Sequence, residues 1–175
     1  MGDLTVKMPE LKILNSREIK QILKLIEKQW GTKLKLDYGF LKSNRNEVSG
    51  ELKNFAFLSN HKGRVFIVNK EISNIEFSKL RLNSVGMYFC EVHNGSIRLS
   101  IEGSQIIGPK ATKNVAELDE DETKKWLKGE DLEKECGNCK GFVILRHKND
   151  FFGNGKYSKG RILNFVTKTR RINAI

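Results

Sequence analysis

The residues of this chain best suited to chemistry are cations set among glycines and aromatic rings near its end. Lys156, Lys159, Arg161, Lys168, Arg170 and Arg171 follow one another, with Phe151, Phe152 and Tyr157 beside them. Ammonium and guanidinium groups in such a series suit a polyphosphate, because each phosphate they neutralise releases condensed counterions. Arginine adds a planar fork that grips phosphate or stacks on a base. Gly153 and Gly155 flank Asn154, so the backbone there is free to turn or to approach a partner closely. N–H groups exposed at such a turn would also meet a phosphate. Tyr157 and one of the two phenylalanines offer a stacking surface, while core packing is expected for at least one of that pair.

The elements that must hold these residues are short strands. Phe142-Val143-Ile144-Leu145 is an apolar run of strand length. His147-Lys148-Asn149-Asp150 reads as a turn, Ser158-Lys159-Gly160 as a second turn, and Ile162-Leu163-Asn164-Phe165-Val166 as a closing strand. The ribbon carries its cations on its turns and tail. The order FVIL, HKND, FFGNGK, SKG, ILNFV resembles the end of a PUA domain, the small RNA-binding β-barrel of pseudouridine synthases and archaeosine transglycosylases. The resemblance implies that the short helix after the first strand of such a domain joins the last strands in binding RNA. On this chain that adds the stretch 103–113, with Lys110 and Lys113.

The likeness extends upstream. LRLNSVGMYFCEVHNGSIRLSIEGSQIIGP, then an acidic helix, then GFVILRHKNDFFGNGK is similar to a two-domain family that joins an N-terminal α+β domain to a PUA domain. Its members include the Nip-type ribosome-biogenesis factors of archaea and eukaryotes and the RNA-binding ends of NOP/Sun-type RNA cytosine methyltransferases. The resemblance covers residues 11–171 and implies RNA binding without chemistry in either domain.

Composition is compatible with that reading. The 175 residues allow one ordinary domain or two small ones, and 38% hydrophobic residues with ten Phe suffice for a core. No apolar run approaches the roughly 20 residues of a membrane helix, so no membrane partner is expected. The opening residues lack the layout of a secretory signal, which makes the cytoplasm the expected location. The net charge of +11 points to a polyanionic partner. Residues 115–135 hold nine acidic and four basic residues, net −5, whereas residues 140–175 hold nine basic and one acidic, net +8. One acidic and one basic face are predicted.

The first half reads as a mixed domain. Asn15 and Glu18 form a capping box ahead of Ile19, Ile22, Leu23, Ile26 and Trp30, with Gly31 as the stop. Lys20, Lys24 and Lys28 fall on the other side of that helix, as a solvated face. Strands are predicted at 36–41, 52–58, 64–68 and 85–92, with a turn at 43–46; the run 80–82 is too short to assign. Asn94-Gly95 is a hairpin signal, with 97–101 pairing back. The domain boundary is placed at that turn, giving an N-terminal α+β domain over 1–95 packed on a PUA-like β-barrel with short helices over 96–175. The fold class is α+β. In the second half, 102–109 reads as a helical turn, 115–118 as a strand, and Asp119 with Glu122 as a second capping box. The acids Glu120, Asp121 and Glu122 are then helix-start residues rather than metal ligands.

Catalytic signatures are missing from the sequence. GNGK lacks the first glycine of a phosphate loop, Ser158 stands where a dinucleotide fingerprint needs glycine, and neither Pro9 nor Pro109 precedes a cysteine. His61, His93 and His147 show no paired spacing. Cys136 and Cys139 are weak metal candidates, since a complete zinc site would need Cys90 and His147 as well; a plain turn is the simpler reading. The expectation is a non-enzymatic RNA binder without cofactor, holding rRNA or tRNA beside a separate RNA-modifying enzyme or ribosome-assembly factor. The alternative is a protein-interaction adaptor in such a complex.

Overall fold

The structure, a computed structural model, describes residues 11–32, 55–71 and 85–172. The strand expected at 36–41, the turn at 43–46, the start of the 52–58 strand and the run 80–82 lie outside these residues.

Both predicted capping boxes are present. Asn15 accepts from the Arg17 and Glu18 N–H groups at 3.0 and 3.1 Å, and Glu18 accepts from the Asn15 N–H at 2.9 Å. Helix α1 (Ser16–Trp30) follows, buries Ile22, Leu23, Ile26 and Trp30, and ends at Gly31. Asp119 and Glu122 begin the later helix Glu120–Lys128, which ends at Gly129, in the same way.

The first sheet runs β1 (Lys12–Ile13), β2 (Phe55–Ser59), β3 (Arg64–Asn69), β4 (Met87–His93) and β5 (Ser96–Leu99), each antiparallel to the next. Asn94 and Gly95 both take positive φ, 47° and 73°, as a tight hairpin turn requires. The turn read as a domain boundary is therefore the tip of a hairpin whose two strands share one sheet. An edge strand leaves N–H and C=O groups in need of partners. Here other elements supply them. Gln29 of α1 donates to the Ile97 carbonyl at 2.9 Å and accepts from its N–H at 2.5 Å, and Asn154 accepts from the Leu99 N–H at 3.2 Å.

Helix α2 (Ile101–Ile107) leaves β5 at once, because Ser100 caps it by accepting the Gly103 N–H at 2.9 Å. That cap is why the strand stops two residues short of position 101. A Cβ on Gly103 would lie 2.2 Å from the Phe89 carbonyl oxygen, and one on Gly108 2.2 Å from the Phe151 ring. These close approaches seat α2 between β4 and the second sheet.

That sheet contains β6 (Val115–Glu117), β7 (Leu132–Glu133), β8 (Gly141–His147), β9 (Asp150–Ser158) and β10 (Arg161–Leu163), in the order β6-β8-β9-β10-β7. Only β6 with β8 is parallel. The expected closed barrel is corrected: among the described residues the sheet is open. Its edge strands, β6 and β7, are three and two residues long, and the chain between them forms helix α3 (Glu120–Lys128). Trp126 of α3 covers one sheet face, packing with Val143, Leu145 and Ile162.

The other face joins the first core, in which Ile144 and Phe151 pack with Ile107, Phe89 and Trp30. Val143, Ile144 and Leu145 thus alternate between two cores, as the strand period of two dictates. A strand covered on both faces reads as an uninterrupted apolar run. The α+β class stands. Among the described residues no helix is long and apolar enough to cross a membrane.

Candidate nucleic-acid interface

Strand register gathers one group of cations. Gly141 pairs with Tyr157, Phe142 with Lys156, and Ser158 with Arg161, so β8 begins where β9 ends and β10 starts. Asn114, just ahead of β6, accepts from the Lys140 N–H at 2.9 Å, and its carbonyl accepts from the Ile144 N–H at 2.9 Å. Lys113, Lys140, Lys156 and Lys159 therefore share this end of the sheet. All four are exposed, and none forms an ion pair among the described residues. Lys159 stands at the tip of the β9–β10 hairpin, with φ 48° followed by Gly160 at 75°. Lys110 lies apart, on the 3-10 turn Gly108–Lys110 after α2.

The remaining predicted cations are tied down. Arg161 reaches Asp131 at 3.3 Å and Glu133 at 3.1 Å. Arg170 pairs with Glu102 at the start of α2. Burial pushes the Glu102 carboxyl upward, but hydrogen bonds from its own backbone and from Arg170 outweigh that and hold it below the ordinary range. Arg171 donates to the Val166 carbonyl at 3.0 Å and lies across Gly129 at the end of α3, where a Cβ would come within 2.2 Å of its Nε. A cation there also complements the helix dipole. Both arginines of the predicted basic tail thus have acceptors within the fold. Lys168 is exposed on a 3-10 turn, Lys168–Arg170.

The glycine pair is also corrected. Gly153, Asn154 and Gly155 form no exposed turn; they are buried in the middle of β9. A Cβ on Gly155 would meet Ile162 at 2.4 Å, Trp126 at 3.0 Å and Leu145 at 3.2 Å, so the glycine permits close packing and not phosphate contact. Asn154 accepts from the Leu99 N–H and donates to the Val143 carbonyl at 2.9 Å, bridging β5 and β8. Phe151 is in the first core and Phe152 packs on the second. Tyr157 is half-buried, with its hydroxyl donating to Glu135 at 2.8 Å.

Several acids of the acidic stretch hold cations. Glu117 holds Arg146 at 2.5 Å, Glu122 holds Lys134 at 2.8 Å and Glu120 holds Lys124 at 2.9 Å. Cys136 and Cys139, the weak metal candidates, face each other across their turn, with Cα atoms 5.3 Å apart. Cys90 is buried in the first core, where burial pushes its thiol up, and His147 bonds the Leu118 carbonyl at 2.7 Å. The four are not brought together.

The structure adds residues that the sequence reading missed. A cleft of about 420 Å³ opens between the two sheets, with Arg64, Tyr88, Arg98, Phe165 and Arg170 among its lining residues. Glu91 holds the Arg98 guanidinium at 2.8 Å and that of Arg64 at 3.6 Å. Arg98 lies over the Phe165 ring, 5.2 Å from its centroid, and Arg64 lies 5.9 Å from the centroid of Tyr88. Burial raises the Tyr88 hydroxyl above its ordinary range, keeping it a donor. Phe165 was legible only as part of a closing strand. In the structure β10 stops at Leu163, because Asn164 donates to the Trp126 and Glu130 carbonyls and leaves the ladder. Phe165 is thereby turned outward, 40% exposed.

Comparison with known proteins bears on this region. Residues 113–172 match the family described as methyltransferase RsmF PUA domain. Ribosomal RNA small subunit methyltransferase F of Vibrio cholerae is 28% identical over 86 residues, 49% of this chain and 18% of that protein. The protein of the same description from Aeromonas salmonicida is 33% identical over 92 residues, 51% of this chain and 19% of that protein. The chain spans about a fifth of the length of these curated relatives. The part of the chain read as PUA-like is thus similar to the PUA domain of NOP/Sun-type rRNA methyltransferases, and a PUA domain implies RNA binding.

Proposed function

We propose that this chain binds structured rRNA or tRNA through the lysine-bearing end of its second sheet and serves rRNA modification or ribosome biogenesis without chemistry of its own. The observation that carries this reading is the gathering of Lys113, Lys140, Lys156 and Lys159 at one end of a sheet that matches a PUA family. Unpaired ammonium groups lose nothing structural when they engage phosphate, whereas Arg161, Arg170 and Arg171 would first have to leave their carboxylate and carbonyl partners. A separate enzyme or assembly factor would act on the bound RNA. The relatives' names place them as rRNA methyltransferases.

Binding of total rRNA and of tRNA across a salt series, read by fluorescence anisotropy, tests this. The expected result is affinity that falls steeply as salt rises. Failure to bind either RNA at low salt would contradict the proposal and favour the protein adaptor. A melting shift with S-adenosylmethionine would instead restore an enzymatic reading.

A further inference from the structure

We infer that the cleft between the two sheets is a site for a single unpaired ribonucleotide, whose base stacks on Phe165 and Tyr88 while its phosphates meet Arg64 and Arg98, with Arg170 held by Glu102 as part of the wall. The inference rests on the RNA-binding reading above and adds a share of the site to the first sheet.

The cleft's walls combine the two chemistries that a nucleotide needs. Rings and guanidinium groups alternate along them. Arg64 lies by Tyr88, and Arg98 lies over Phe165. Phe165 continues to Phe142, ring centroids 6.1 Å apart, and Phe142 pairs across the ladder with Lys156. The series therefore runs from the first sheet to the lysine-bearing end of the second. Aromatic faces accept any base, and arginine beside them adds cation–π and phosphate contact.

Orientation is already fixed. Glu91 anchors both Arg64 and Arg98, so their planar groups lose less freedom on binding than loose side chains would. Three guanidiniums face the two carboxylates Glu91 and Glu102, leaving positive charge in excess. Glu102 and Thr167 also line the cleft and supply polar groups suited to a base edge or a 2′-hydroxyl. The volume of about 420 Å³ lies within the range of small-ligand pockets, roughly 300–1,000 Å³. A duplex keeps its bases stacked inside and has none to offer such a cleft.

The test compares a short single-stranded RNA, the same RNA with one abasic residue, and a blunt-ended duplex, each titrated against the full chain and against Phe165→Ala and Phe165→Tyr. The expected result is that Phe165→Ala weakens single-stranded binding about 10-fold or more while Phe165→Tyr retains it. Duplex binding should change little. Photo-crosslinking of 4-thiouridine RNA to the unmutated chain should label the peptides carrying Tyr88 or Phe165, which removes any dependence on how the variants fold. Single-stranded binding that ignores Phe165→Ala, with crosslinks confined to 156–161, would overturn the cleft site and leave the sheet-end reading intact. No binding of any RNA by the unmutated chain would overturn both. Crosslinks to neither region, with an acidic or aromatic protein segment captured in the cleft, would assign it to a protein partner instead.

Discussion

Two groups of cations lie close in sequence and obey different physics. Lys113, Lys140, Lys156 and Lys159 gather by strand register, are exposed, and have no ion-pair partner among the described residues. Arg161, Arg170 and Arg171 each hold a structural acceptor: Asp131 and Glu133, Glu102, and the Val166 carbonyl. Lysine is a strongly hydrated point charge that can wait in solvent, whereas arginine's fork is suited to a fixed partner. The difference separates the residues available to a phosphate from those that hold the interface in shape.

This contrast can be broken most severely at Gly155, next to Lys156 yet enclosed by Ile162, Trp126 and Leu145. Gly155→Leu should lower stability by about 3 kcal/mol or more, as overpacking of a tight core does. A urea titration checks it, and a near-neutral result would mean that the second core is loose.

Arg171→Glu sharpens the comparison. It leaves the Val166 carbonyl without its partner and places a negative charge at the end of α3. A loss of roughly 2 kcal/mol in the same titration is expected. Weaker RNA binding in such a variant would report a damaged fold and would not locate a phosphate. By contrast, reversing Lys113, Lys140, Lys156 and Lys159 to Glu should move stability by less than about 0.5 kcal/mol per site, the usual range for surface positions.

The smallest effect concerns pH. The folded carboxyl of Glu102 is held below its ordinary value, so the unfolded chain binds its proton first as pH falls. Its contribution to stability is full above the ordinary carboxylate range and disappears as pH drops through the lowered folded value. Glu102→Gln should flatten the stability profile in that acidic window alone, as thermal melts at successive pH values would show.

Local signals were legible because local physics decides them. Asn15 with Glu18, Asp119 with Glu122, and Asn94 with Gly95 each specify a cap or turn from their own side chains. The apolar run at 142–145 announced a strand, and the structure buries it between two cores. What could not be read depends on contacts distant in sequence. Gly153-Asn154-Gly155 has the composition of a turn, yet Asn154 finds Leu99 and Val143, and Gly155 finds Trp126. The short edges that leave the sheet open have no mark in residue type. Phe165 faces outward because Asn164 bonds to α3, and Arg64 becomes a candidate ligand only when β3 and β5 are brought to opposite sides of Glu91. Lys140 joins the binding end through Asn114, a residue with no charge to attract notice.

The most direct measurement is the salt dependence of rRNA affinity for the unmutated chain and for the variant carrying Lys113→Glu, Lys140→Glu, Lys156→Glu and Lys159→Glu. Four lost phosphate contacts should flatten the log–log slope by roughly 3 units, with the variant's thermal melt unchanged. Equal slopes in two equally folded proteins would contradict the account and remove the sheet end as the place where RNA is held.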